Sequence, residues 1–265
     1  MEVVNFLTLC YEQGLSYSAI STARSALSTF IVIDQVPVGQ HPIIGRLVKG
    51  IFASRPALPK VTVVWDTEIV LKYLKRLSPC HRLILPVLTW KLAVLTALLT
   101  GQRAQSLHLM DIRNMTVSKS KIKFRFGDLL KQTRPGYQQC EITVLAYPPD
   151  RRLCLVLLMQ EYLKRVKPLR GAHTRLFITT QAPYKEASKQ TISRWIKNTL
   201  VKAGLDMTIF SPHSTRSAAT TKANSGNIPL MTILKTAGWS RDSTFAKYYN
   251  KPFISEGVFA DAVRN

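Results

Sequence analysis

The sequence predicts a mainly α protein with a small antiparallel β-sheet, an α+β chain that is helical at both ends. Apolar residues recur at three- and four-residue intervals over most of its length, and between residues 114 and 145 the period shortens to two. Composition agrees: at 46% hydrophobic in 265 residues, the chain can bury a real core, as one large domain or two smaller ones.

The first fifty-odd residues read as helices. Val3, Val4, Phe6, Leu7 and Cys10 fit one helical face that stops at Gly14. Ser16 or Ser18 can cap a second helix, with Ile20, Ala23, Ala26, Leu27 and Phe30 on its apolar side. A third, with Ile43, Ile44, Leu47, Val48, Ile51 and Phe52, ends before Arg55-Pro56. SRPALPKV has no helical period and carries two prolines, so residues 55–64 read as a linker between a helical domain, 1–54, and a larger one, 65–265. Asp66 or Thr67 can cap a helix running to Leu77. A long apolar helix follows and reaches Thr100-Gly101, where the glycine suits a left-handed cap. Its apolar run, Leu83–Leu99, is broken by Pro86, Thr89 and Lys91 and reads as a buried helix, not a membrane span. RAQSLHLM is another short helix. NMTV, KIKFRF and CEITVLA alternate as strands, with the basic loop DLLKQTRPGYQQ between the later two. Helical period returns at Arg151–Val166, a short strand LFIT is expected next, and then a helix across Ser188–Ala203. Ser211-Pro212 sets up a further helix that Gly226 ends. Pro229 starts one that Gly238 ends, and Asp242 or Ser243 can cap a last one before Pro252.

The balance of 37 basic against 15 acidic residues gives a net charge of +22. Self-repulsion of that size opposes folding, so it points to a polyanionic partner whose counterions the protein displaces. Nucleic acid is the first expectation and an anionic membrane surface the second. The four cysteines are far apart, the five histidines are scattered, and neither has metal-ligand spacing. No metal site, no signal peptide and no membrane span are expected.

Residues 213–251, HSTRSAATTKANSGNIPLMTILKTAGWSRDSTFAKYYNK, concentrate the polar chemistry. His213 and Arg216 are three residues apart, one turn along a helix and near its positive end. Trp239 follows Gly238, and Tyr248 and Tyr249 stand together nine and ten residues later. Each piece alone is ordinary, but their order and spacing resemble the C-terminal motifs of the tyrosine recombinases, or phage integrase family. His213-Ser-Thr-Arg216 resembles the H-x-x-R box, Gly238-Trp239 the G-H/W position, and LLTGQRAQSL the first arginine box, which places that arginine at Arg103. The loop DLLKQTRPG lies where the family keeps its lysine, here Lys131. Ser106 stands where bacterial members often carry Glu or Asp, which removes one support for Arg103. HSTRSAA, GWS and STFAKYYNKP look closest to recombinases of eukaryotic mobile elements, the Crypton, Ngaro and DIRS-like groups, and from that resemblance comes an expected nuclear location.

The resemblance implies a helical core-binding domain over 1–54, N-terminally incomplete if three helices are too few, and a catalytic tyrosine-recombinase domain over 65–265. It implies cleavage and rejoining of double-stranded DNA through a 3′-phosphotyrosyl link, by a homo-tetramer on two duplexes and without cofactor. Arg103 and Arg216 would hold the phosphate oxygens with fixed forks of donors. His213 would accept the tyrosine proton or hydrogen-bond nearby, Lys131 would protonate the leaving 5′-oxygen, and Trp239 would wall the site and offer one N–H. Tyr249 is the preferred nucleophile, with Tyr248 as the alternative. The other reading of the chain is an element-derived protein that binds DNA and no longer cuts it. The C-terminal Phe253, Ile254, Val258 and Phe259 could dock on a neighbour or fold back.

Overall fold

The computed structural model describes residues 2–56, 64–130, 133, 141–239 and 245. The chain divides into two compact units, Met1–Lys60 and Val61–Asn265. No helix among the described residues is long and apolar enough to cross a membrane.

The smaller unit contains α1 (Glu2–Glu12), α2 (Tyr17–Leu27), strands β1 (Val32–Ile33) and β2 (Val36–Pro37), and α3 (Pro42–Ser54). Ser16 is the residue that caps α2, accepting from Ala19 N. Leu7, Cys10, Ile20, Val38, Ile44, Val48 and Ile51 make its core. Two expectations need correction. The β1–β2 hairpin interrupts what reads as an all-helical stretch: its turn residues Asp34 and Gln35 both have positive φ, at 49° and 60°. That turn normally announces itself with Asn-Gly or Asp-Gly, and Asp-Gln carries only half the signal. Phe30 was expected on the apolar side of α2, but the helix stops at Leu27 and the ring is 87% exposed.

The larger unit is built around α5 (Leu85–Thr100), whose buried residues run all round its surface, Lys91 included. A helix covered on every side needs neighbours on every side. α5 packs against α7 (Leu155–Val166), α8 (Lys189–Lys202) and α9 (Ser214–Ser225), and α4 (Thr67–Arg76) closes on α9. Three short strands, β3 (Met115–Val117), β4 (Lys121–Phe124) and β5 (Ile142–Leu145), pair antiparallel in chain order. Ile122, Phe124 and Ile142 face the core from that sheet. LFIT forms no extended strand. It contributes only an isolated bridge, Ile178 with Glu186, beside a second between Asp111 and Arg175. Arg170, buried, donates to the carbonyls of His173, Arg175 and Leu176, and backbone bonds from Leu176 N to Met110 O, Thr179 N to Lys185 O and Ala187 N to Phe177 O satisfy the rest of the segment.

Two cations hold the irregular chain between α4 and α5. Lys91 Nζ donates to Leu77 O at 2.7 Å and to Ser78 Oγ at 3.4 Å. Arg165 donates to the carbonyls of Cys80, His81 and Leu83. Burial lowers the Lys91 pKa from 10.5 to about 8, against the opposing pull of Cys80 and Asp150.

Candidate functional site

The C-terminus of α5 begins the site. Thr100 ends the helix and Gly101 caps it at φ +61°, in the left-handed region. A Cβ added there would meet Ala237 Cβ at 3.5 Å and Thr220 Cγ2 at 3.6 Å, ordinary contacts. Gly101→Ala is therefore expected to lose about 1 kcal/mol, from backbone strain and not from a clash. Urea unfolding measures this, and a loss beyond about 3 kcal/mol would mean the turn cannot keep its shape. Two residues on, Arg103 is half-buried in the N-cap position of α6 (Ala104–His108). Gln102 between them is buried, and its Nε2 donates to Thr236 O at 2.8 Å in α10 (Leu230–Ala237).

The second component is the start of α9. The helix begins later than Ser211-Pro212 suggests: His213 occupies the N-cap position, without a side-chain cap bond, and Ser214 is the first helical residue. Ser214 Oγ donates to Ser211 O at 2.6 Å and accepts from Trp65 Nε1 at 2.8 Å. His213 and Arg216 are one turn apart as expected, yet their environments differ. His213 is exposed, whereas Arg216 is 2% exposed.

Arg216 is where the separate motifs meet. Its Nη1 donates to Gly101 O at 2.9 Å, and its guanidinium carbon lies 4.1 Å from the centroid of the Trp239 ring. The carbonyl fixes one edge of the guanidinium and the indole face supports its plane. Trp239 is held in turn by the end of α10: Gly238 adopts φ +74°, Trp239 N donates to Leu234 O at 2.8 Å, and the indole packs with Phe245 at a centroid distance of 5.7 Å. Trp239 was expected to face phosphate directly; the structure gives its ring a further task, carrying the arginine. The structure thus brings Arg216 against the turn that carries Arg103 and against Trp239. Lys131, Tyr248 and Tyr249 lie outside the described residues, as do Asp242, Ser243 and the segment from Phe253 to Phe259.

Several residues of this neighbourhood carry no legible signal in the sequence. The Gly101 carbonyl has no side chain to advertise it. Trp65 and Ser214 are 149 positions apart, and Gln102 reaches Thr236 across 134. The arginine-box pattern around Gly101 is the local signal in that segment.

A second cluster lies where α6 ends and the β4–β5 connection begins. Asp111 accepts from Arg113 Nη2 at 2.8 Å and from Thr174 Oγ1 at 2.8 Å; the Arg113 guanidinium beside it holds its carboxyl well below the usual carboxylate range. Arg175 donates to Leu109 O at 3.1 Å and grips Asp128 through both Nη atoms, at 2.5 and 3.3 Å.

Residues 86–253 match the Phage integrase family. No curated protein matches the chain. Among solved structures, the XerH site-specific recombinase bound to its difH substrate aligns with 99% of this chain and 68% of its own, at TM-score 0.63 and 12% identity. The Tn1549 transposon integrase, in complex with transposon right-end DNA, aligns with 99% and 82%, at TM-score 0.62 and 14% identity. A lambda integrase dimer bound to a core site aligns with 94% and 78%, at TM-score 0.53 and 19% identity. At those identities the likeness is one of fold.

Proposed function

Because the chain belongs to the phage integrase family, we propose that it is a site-specific DNA recombinase that cuts and rejoins DNA through a 3′-phosphotyrosyl intermediate. The observation that carries the reading is the seating of Arg216 between the Gly101 carbonyl and the Trp239 face, which makes one neighbourhood of motifs far apart in sequence.

The Tyr249 phenol oxygen attacks the phosphorus, the P–O5′ bond breaks, and the strand remains attached as a phosphotyrosyl ester. Only about one tyrosine in a thousand is ionised at neutral pH, so the phenol must shed its proton as it attacks, and His213 is placed in the family pattern to accept it. Lys131 gives a proton to the departing 5′-oxygen. Arg103 and Arg216 hold the non-bridging oxygens, where charge builds up. The ester conserves the energy of the broken bond, so a 5′-hydroxyl can reverse the step without ATP. Arg216 is nearly withdrawn from solvent, so phosphate reaches it only as the atoms covering it move. Its burial, away from bulk water, strengthens the field it exerts on a phosphate that does arrive.

The partner is double-stranded DNA, contacted through phosphates with the steep salt dependence that +22 implies. A homo-tetramer on two duplexes, a role in mobile-element integration, kinship with the recombinases of eukaryotic elements and a nuclear location belong to the same reading. They rest on the motif phrasing and on the family, not on the geometry. The helical 1–54 region is assigned to DNA binding on the same basis.

The test uses a duplex nicked just downstream of the candidate phosphate, so that the cleaved strand diffuses away and the adduct accumulates. A denaturant-resistant protein–DNA band is expected from the wild type and from Tyr248→Phe, and none from Tyr249→Phe. Loss in Tyr248→Phe alone would move the nucleophile by one residue. No band from any of the three, on DNA that the protein demonstrably binds, would leave the binding-only reading standing.

A further inference from the structure

We infer that Arg175 and Asp128 form a positioning pair that sets where the start of the β4–β5 connection, residues 127–130, stands relative to the arginine-bearing turn; the inference rests on the proposed recombinase reading and deepens it.

Asp128 is three residues before Lys131, at the mouth of that connection. Its carboxylate is gripped edge-on by the Arg175 guanidinium, a two-point contact that fixes direction as well as distance. The same guanidinium donates to the carbonyl of Leu109. Leu109 caps the C-terminus of α6, whose N-cap residue is Arg103. One side chain therefore ties the start of the connection to the helix that begins at Arg103.

Arg175 is itself held from both sides. It bridges Asp111 as an isolated β pair, Ile112 N donates to Thr174 O at 2.9 Å, and Leu176 N donates to Met110 O at 2.7 Å. Its own carbonyl is taken by the buried Arg170. On the other side of the contact, Leu130 is buried, and it exchanges hydrogen bonds with Thr133: Leu130 N to Thr133 Oγ1 at 3.0 Å and Thr133 N to Leu130 O at 2.9 Å. In the sequence Lys131 falls between Leu130 and Thr133, just after a segment that Asp128 clamps to α6.

An isolated ion pair at the surface contributes little stability, and Asp128 is 39% exposed. Its value lies in geometry: a proton donor displaced by about 1 Å can cost on the order of a hundredfold in rate. The proton in question moves from the lysine ammonium to the 5′-oxygen as the P–O5′ bond breaks.

A substrate with sulfur in place of the bridging 5′-oxygen separates positioning from folding. A thiolate leaves without being protonated, because its conjugate acid is far stronger than an alcohol. Single-turnover adduct formation is measured for the full chain, Asp128→Asn, Arg175→Gln and Lys131→Ala, on oxygen and on sulfur substrates. With the oxygen substrate, Asp128→Asn and Arg175→Gln are expected to fall about tenfold or more, and Lys131→Ala further. With the sulfur substrate all three are expected to return to within a few-fold of the wild type. If Lys131→Ala recovers on sulfur and the two pair variants do not, the positioning inference is overturned, because their defect does not pass through leaving-group protonation. Unchanged oxygen rates in both pair variants overturn it as well. If Lys131→Ala itself fails to recover, the assignment of Lys131 as the acid falls, and this inference with it. Asp128→Asn keeps the shape of the side chain, so a folding defect in Arg175→Gln does not obscure the result.

Discussion

Arg216→Lys is expected to lower single-turnover adduct formation by a factor of about 100 to 1,000, while the protein still binds duplex DNA. Lysine keeps the positive charge, so long-range attraction to phosphate survives and the salt dependence of binding changes little. What disappears is the planar fork. Arg216 has one edge on the Gly101 carbonyl and its face on Trp239, both of which fix the orientation of a guanidinium and neither of which can fix a rotating ammonium. Loss of one preorganised donor costs about 3–4 kcal/mol in the transition state. The nicked-duplex assay reads the rate and a filter-binding titration reads the affinity. A variant within a few-fold of the wild type would show that charge alone suffices and that the seating of Arg216 has another purpose. Trp239→Ala should reproduce part of the loss, since it removes the surface on which the guanidinium rests.

Stability should depend on pH through Lys91. The folded chain holds this lysine at about pKa 8, against 10.5 for a free lysine, because burial disfavours its charge. Between pH 8 and 10.5 the unfolded chain therefore binds more protons than the folded one, and the contribution of Lys91 to stability rises with pH across that window. Below pH 8 the full penalty applies, about 3 kcal/mol. Lys91→Met removes the penalty at neutral pH but deprives the Leu77 carbonyl of its donor, worth about 1 kcal/mol. The methionine variant is thus expected to be at least as stable as the wild type at pH 7.5 and clearly less stable relative to it at pH 10.5. Urea unfolding of both proteins at the two pH values checks this. Comparing the pair cancels the groups that do not sense the Lys91 charge. Parallel pH profiles would show that the ammonium is not desolvated in the folded state.

Much of this was legible because the signals are local. The left-handed cap at Gly101, a cap for α4 at Asp66 or Thr67, of which the structure uses Asp66, a helix starting near Ser188 and the end of α10 at Gly238 are each written within a few residues. The short-range alternation of β3, β4 and β5 was equally plain. The misses have local causes too. Asp34-Gln35 lacks the glycine that marks a hairpin turn, and LFIT has the composition of a strand but pairs only through isolated bridges and single backbone bonds to Met110, Lys185 and Ala187. At α9, a proline that looked like the first helical residue stands outside the helix, since Ser211 O is taken by Ser214.

The sequence by itself determined the fold class, most helix ends, the net positive charge and the order of the family motifs, because each depends on residues that are neighbours in the chain or on composition alone. Tertiary structure decided what those motifs do to one another. It put His213 in solvent and Arg216 in the interior, though they are three residues apart, and it set Arg216 on Trp239 and on a carbonyl 115 positions away. It also set Arg175 against Asp128, a contact across 47 positions that neither residue shows in its own neighbourhood. The physical reason is that a guanidinium finds its partners through space: packing around α5 fixes which backbone oxygens and ring faces come within 3 to 4 Å of it, and sequence spacing carries no record of that.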